Sequence, residues 1–266
     1  MYLEYWKLSK LPFENVPDPR FMYYSPMHSE ALTRMLYVAQ SRKGAGMLTG
    51  EVGCGKTTVS RAFAEQLPSD DFEIALVTNP SMSPTALLRE IAYQLGHEIA
   101  TDTKIDSLHA LNDAMIENVN QDKDTVIVID EAHLIKDPEM YEELRLLLNF
   151  QFNDRFLLTL ILLGQPELKK VMRSIPQFEQ RIAIKYHLDP FDFSETVKYI
   201  TFRLKKAGGT KGIFTREAVE DIFEYSGGVP RRINNICDLG LLVAAGKKAS
   251  VVDSRIVSEL IEEQRL

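Results

Sequence analysis

Nine residues constrain this chain more than any other stretch: Gly50-Glu51-Val52-Gly53-Cys54-Gly55-Lys56-Thr57-Thr58. Gly50, four intervening residues and then Gly55-Lys56-Thr57 give the spacing of a phosphate-binding loop. Glycines permit the backbone angles and close approach that let successive N–H groups converge on phosphate oxygens. Lys56 carries a compact positive charge suited to the β- and γ-phosphates, and the Thr57 hydroxyl is a natural Mg²⁺ ligand. The apolar run Ala45–Thr49 predicts a buried strand before the loop. The spacing of Thr57–Leu67, closed by Pro68, predicts a helix after it. Gly50 through Thr58 is therefore the candidate segment for binding ATP, with Cys54 as a small filler in a variable slot.

A second stretch supplies what such a loop lacks. Thr125-Val126-Ile127-Val128-Ile129 is a continuous apolar run, as expected of a strand buried on both faces, and it ends in Asp130-Glu131. Asp130 suits the water shell of Mg²⁺, and Glu131 suits polarisation of the water that attacks the γ-phosphate. Asp130-Glu131-Ala132-His133 also spells the box of one helicase class. Such helicases need a second recombinase-like domain, and only about 130 residues follow, so that reading is set aside. His133 is expected to support the site rather than to catalyse.

Further polar residues follow core strands. Asn79 comes after the strand Phe72–Val77, where strand ends face a ligand in open α/β sheets. Gln165 follows the apolar run Phe156–Leu163 and is placed to sense the γ-phosphate or position the water, or else to cap a turn. Arg181 stands between a short helix and the strand Ile182–Leu188. An arginine there can reach a neighbouring subunit's nucleotide, with Arg173 the competitor and a surface ion pair the alternative. Helices are expected over 29–40, 83–95, 105–120 and 137–152.

After Pro190 the pattern holds helices alone, 194–207, 215–225, 230–245 and 253–265, so the division expected is 1–189 for an ATP-binding core and 190–266 for a helical lid. Ser194 and Thr215 are expected helix caps, with Gly208-Gly209 and Gly227-Gly228 as stops. Arg231, in the first turn of the third lid helix, is placed to reach back over the phosphates. At the other end, Leu11-Pro12-Phe13 and Pro17-Asp18-Pro19-Arg20-Phe21 form a proline-punctuated segment expected to wrap the core. Its aromatics Phe13, Tyr23 and Tyr24 either wall an adenine ring or pack against the sheet.

Composition limits the partners. The net charge of −7 argues against a generally basic nucleic-acid surface. From Leu188 onward there are 12 basic and 12 acidic residues, against 19 and 26 before it, so a polyanion contact is better suited to the C-terminal part. Two well-separated cysteines give no disulfide framework and suit a reducing cytoplasm. No apolar run approaches the roughly 20 residues of a membrane span.

Taken together, these motifs resemble the AAA+ ATPases of the ExeA/GspA type, the secretion and MSHA-pilus (MshM-like) group, from end to end. The similarity rests on Pro17 to Phe21, Gly50 to Thr58, Asp130-Glu131-Ala132, Gly164-Gln165-Pro166-Glu167-Leu168, Gln180-Arg181-Ile182 and Gly228-Val229-Pro230-Arg231 with Ile233-Asn234. The resemblance implies a five-stranded parallel sheet in the order 5-1-4-3-2 flanked by helices, followed by an all-helical lid. It implies Asp130 and Glu131 as Walker B, Gln165 as sensor 1, Arg181 as arginine finger and Arg231 as sensor 2. Asn79 would hold Glu131 away from the water until a partner arrives. It further implies ATP and Mg²⁺ as cofactors, a homo-oligomeric ring or arc, and a cytoplasmic protein held at the inner membrane through a partner. Secretion members continue into a membrane span and a peptidoglycan-binding module, whereas this sequence stops at Leu266, so the membrane partner is expected to be separate. A second resemblance, to the transposition regulators of the TnsC, TniB and MuB type, would make DNA the partner through Lys205, Lys206, Lys211, Lys247 and Lys248.

Overall fold

The computed structural model describes residues 2–16, 21–101, 103–152, 155–209 and 212–264. Helices α1 (Tyr2–Trp6) and α2 (Pro26–Gln40) precede strand β1 (Ala45–Gly50). Then come α3 (Lys56–Gln66), β2 (Phe72–Val77), α4 (Pro84–Gln94), α5 (Lys104–Asn120) and β3 (Asp124–Ile129). A 3₁₀ turn at Ala132–Leu134 leads to α6 (Pro138–Leu147), β4 (Leu158–Gly164), α7 (Glu167–Ser174), α8 (Pro176–Glu179) and β5 (Ile182–Leu188). Four further helices follow: α9 (Phe193–Lys206), α10 (Arg216–Ser226), α11 (Pro230–Gly246) and α12 (Ser254–Gln264).

The chain forms two units, one of residues 27–50 and 56–188, the other of residues 1–26, 51–55 and 189–266. In the first, the five strands lie parallel in the order 2-3-4-1-5, the expected order read from the other edge. The three inner strands explain the apolar runs. Every residue of β1 and β4 is buried, and so is all of β3 after Asp124. Edge strands β2 and β5 mix buried with partly or fully exposed positions, as one less neighbour allows. Because the strands are parallel, the C-terminal ends of β1, β3 and β4 share one edge of the sheet, where open α/β folds bind ligands.

The other unit packs α9–α12 with the N-terminal residues. Arg203 is buried at 7% exposure and is satisfied by the carbonyls of Pro12 and Glu14 and by the Tyr199 hydroxyl. Phe13 is buried edge-on to Phe214, and Tyr23 packs edge-on against Phe191 and Tyr199. Tyr24 stays half exposed. The leading segment therefore groups with the C-terminal helices, and the described contacts of Phe13 and Tyr23 are with those helices and the residues just before them and not with the sheet. Residues 17–20 of its motif, and Lys211, lie outside the described residues.

Three local expectations change. The helix expected over 137–152 ends at Leu147, and Gln151–Phe152 pairs antiparallel with Arg155–Phe156. Asn149 is a weak helix former, and the aromatics around it favour extended backbone. Helix α1, unanticipated, is too short to form by itself and is held by its docking on α11, with the Trp6 indole N–H donating to the Leu241 carbonyl at 2.9 Å. Thr215 caps α10 as expected, but α9 is capped by Asp192, whose carboxylate accepts the Glu195 N–H at 2.7 Å, rather than by Ser194. Asp192→Ala should therefore cost about 1 kcal/mol in chemical denaturation, with Ser194→Ala within a few tenths of wild type.

Candidate functional site

In the sheet unit, the site is built on the ends of β1, β3 and β4. Gly50 ends β1, and the Lys56 ammonium, 5% exposed, donates back to the Gly50 carbonyl at 2.8 Å. Thr57 and Thr58 follow in the first turn of α3, whose backbone N–H groups lack intrahelical partners and favour an anion. The Thr57 hydroxyl donates to Asp130 Oδ2 at 2.7 Å, so residues 73 positions apart meet at one point. Asp130 is 3% exposed, and its other oxygen accepts the Glu131 N–H at 2.8 Å. A hydroxyl and a buried carboxylate in contact form a hard oxygen pair of the kind that holds Mg²⁺ together with phosphates and waters.

Glu131 itself is strained. Its backbone is left-handed (φ 52°, ψ 35°), which costs a non-glycine residue roughly 1–2 kcal/mol. The turn after it is held from below: the Tyr141 hydroxyl donates to the Ala132 carbonyl at 2.7 Å, and the Leu134 N–H donates to the Glu131 carbonyl at 2.8 Å. Burial pushes the Tyr141 phenol up to about 12. Glu131 Oε2 is buried and has no hydrogen-bond partner among the described residues.

Gln165 follows β4 at the same edge, and its backbone N–H donates to His133 Nδ1 at 3.2 Å. Asn79 is exposed, and its side-chain oxygen closes a local turn by accepting the Ser81 N–H at 3.2 Å. The structure does not join Asn79 to Glu131 by a hydrogen bond. Arg181 stands between α8 and β5, as the sequence suggests, and its guanidinium donates to Asn149 Oδ1 at 2.9 Å. Arg173 is exposed in the last turn of α7.

The other unit contains the middle of the loop, Glu51–Gly55. Glu51 and Val52 are exposed and Cys54 is fully buried, which fits its reading as a filler. Gly53 has φ +86°, and a Cβ there would lie 2.7 Å from the Cβ of Arg231, so the position requires glycine twice over. The Arg231 N–H also donates to the Gly53 carbonyl at 3.3 Å, so the first turn of α11 rests on the loop segment. His133 supports the site, as the sequence suggests, whereas Tyr141 as a partner of the Glu131 turn is not anticipated from the sequence. The box Asp130-Glu131-Ala132-His133 was a signal for the first; a tyrosine ten residues past the carboxylate carries none.

Residues 39–172 match the profile of the AAA domain. The chain is 40% identical over 249 residues to General secretion pathway protein A of Aeromonas hydrophila, covering 92% of this chain and 45% of that protein. It thus spans about half the length of that relative. Among solved structures, the Aeropyrum pernix ORC2 protein superposes with a TM-score of 0.69 at 20% identity, over 92% of this chain and 71% of that one. The Aeropyrum pernix ORC1 protein in complex with DNA gives 0.71 at 15% identity, over 97% and 70%. At these identities the structural likeness speaks for the fold alone.

The Tyr141 hydroxyl supports the Glu131 turn through the Ala132 carbonyl. Tyr141→Phe leaves the Ala132 carbonyl with only its 3.2 Å bond from the Ile135 N–H and should cost about 1 kcal/mol in thermal or urea unfolding. With the folded phenol raised from 10 to about 12, the Tyr141 contribution is present below pH 10 and is lost as pH rises toward 12.

Proposed function

The chain belongs to the AAA domain family, and from that premise we propose that it is a Mg²⁺-dependent ATPase acting as an oligomeric assembly motor or switch for a bacterial envelope secretion or type IV/MSHA pilus system. The observation that carries the enzymatic part is the Thr57–Asp130 contact beside a strained Glu131 whose buried Oε2 has no donor. Backbone strain at an acidic residue next to a cation-binding pair is the mark of a functional position.

Mg²⁺, when bound, neutralises phosphate charge and orients the phosphates. Thr57 and Asp130 are the residues that would hold it. Lys56 exchanges the Gly50 carbonyl for phosphate oxygens, and the loop amides and the first turn of α3 supply the remaining donors. Glu131 accepts a hydrogen bond from the attacking water and draws off its proton as the new oxygen–phosphorus bond forms. The bond to the β-phosphate breaks, and ADP leaves with the electron pair. Gln165 reads the presence of the γ-phosphate, and Arg231 rests on the loop at Gly53. Arg181 is assigned to a neighbouring copy's nucleotide, which makes hydrolysis depend on assembly into a ring or arc.

The envelope role rests on the relative named for secretion. No helix among the described residues is long and apolar enough to cross a membrane. Contact with the inner membrane is assigned to a membrane-associated protein partner. The DNA-regulator reading draws on Lys205, Lys206, Lys247 and Lys248, but Lys247 is already paired with Glu259. The net charge of −7, with 12 basic and 12 acidic residues from Leu188 onward, favours the first reading.

Glu131→Gln should keep ATP affinity within about threefold while lowering turnover by at least about 100-fold. Turnover equal to wild type would remove Glu131 from catalysis. In the same assay, wild-type specific activity should rise with protein concentration and Arg181→Ala should abolish that rise. Equal, concentration-independent rates would remove the finger assignment.

A further inference from the structure

Glu131 Oε2 is buried, has no hydrogen-bond partner among the described residues, and lies 3.3 Å from His133 Nδ1. That nitrogen already accepts the Gln165 backbone N–H at 3.2 Å. A ring nitrogen that accepts carries no proton, so its one lone pair is taken by the Gln165 N–H and it has no N–H to offer the carboxylate. The arrangement is packed in place. The His133 side chain is 9% exposed. Gly164 lets the 3₁₀ turn close on the end of β4, since a Cβ there would lie 2.9 Å from Leu168 Cδ2 and 3.3 Å from the His133 backbone nitrogen. The Asn79 side-chain oxygen accepts the Ser81 N–H at 3.2 Å.

We propose that His133 is a positioning residue: its Nδ1 ties the Glu131 turn to the backbone of Gln165, and by committing that lone pair it leaves Glu131 Oε2 without a protein donor and open to a water. The proposal rests on the reading of Glu131 given above. It couples the two ends of the site through one imidazole, because any shift of the Gln165 backbone alters what Nδ1 presents to Glu131. His133 touches neither water nor phosphate in this scheme and acts through Glu131.

Two measurements on the full chain test it. The first is long-range ¹⁵N–¹H NMR of the nucleotide-free protein labelled at histidine, with the His133 signals assigned by their loss in His133→Asn. An unprotonated Nδ1 and a protonated Nε2 are expected; a proton on Nδ1 overturns the proposal. The second compares His133→Leu with His133→Asn, whose side-chain oxygen keeps an acceptor at the position of Nδ1. His133→Leu should lower kcat at least about tenfold with KM and ATP affinity within about twofold, and His133→Asn should return kcat to within about threefold of wild type. Equal losses in the two variants, wild-type kcat in both, or a loss confined to KM would overturn it. Retained ATP affinity reports that His133→Leu is folded. The two readings fail separately. An active Glu131→Gln removes the base while the NMR result stands, whereas an inactive Glu131→Gln beside a fully active His133→Leu removes only the role of His133.

Discussion

A buried carboxylate sets the terms for the sheet edge. Asp130 is 3% exposed at the end of a strand with no polar residue for five positions before it apart from Thr125. An ionised group in such a place is tolerated only when its oxygens are hydrogen-bonded. One oxygen takes the Thr57 hydroxyl and the other takes the Glu131 N–H. The first bond fixes the start of α3 against β3; the second accompanies the sharp turn that gives Glu131 its left-handed backbone. The Asp130 N–H, donating to the Val77 carbonyl at 2.8 Å, extends the β2–β3 ladder to this point. The start of α3 and the Glu131 turn thus both depend on the satisfaction of one charge.

That arrangement stores cost where chemistry is expected. A left-handed glutamate and a buried oxygen without a donor both lower stability, and the surrounding bonds offset them: Tyr141 to Ala132, Leu134 to Glu131, and the His133–Gln165 contact. A stabler turn was available with glycine at residue 131, but it would have no carboxylate. The helical unit shows the opposite economy. Arg203 meets two carbonyls and a hydroxyl, and α9, α10 and the leading segment share one apolar core.

The inner strands were legible because burial on both faces leaves a continuous apolar run, and the phosphate loop because glycine spacing encodes backbone geometry directly. Strand order was not legible from the residues themselves. Parallel neighbours leave no short-range signal, and only the resemblance supplied the order. The short helix α1 and the ladder at Gln151–Phe156 escaped for a related reason, being held by contacts distant in sequence or by pairing too brief to show a period. Asp192 was overlooked as a cap because Ser194 lay nearer the first helix-spaced residue. His133 was visible as a letter in a box, but its use depends on where the Gln165 backbone arrives, 32 positions further along the chain.

The most direct measurement is the equilibrium affinity for a non-hydrolysable ATP analogue with Mg²⁺ and with EDTA, in wild type and in Asp130→Asn. If Thr57 and Asp130 hold the cation, Mg²⁺ should tighten binding at least about tenfold in wild type, near 1.4 kcal/mol, and no more than about twofold in Asp130→Asn. Affinity indifferent to Mg²⁺ in wild type, or an equal gain in both proteins, would contradict the account.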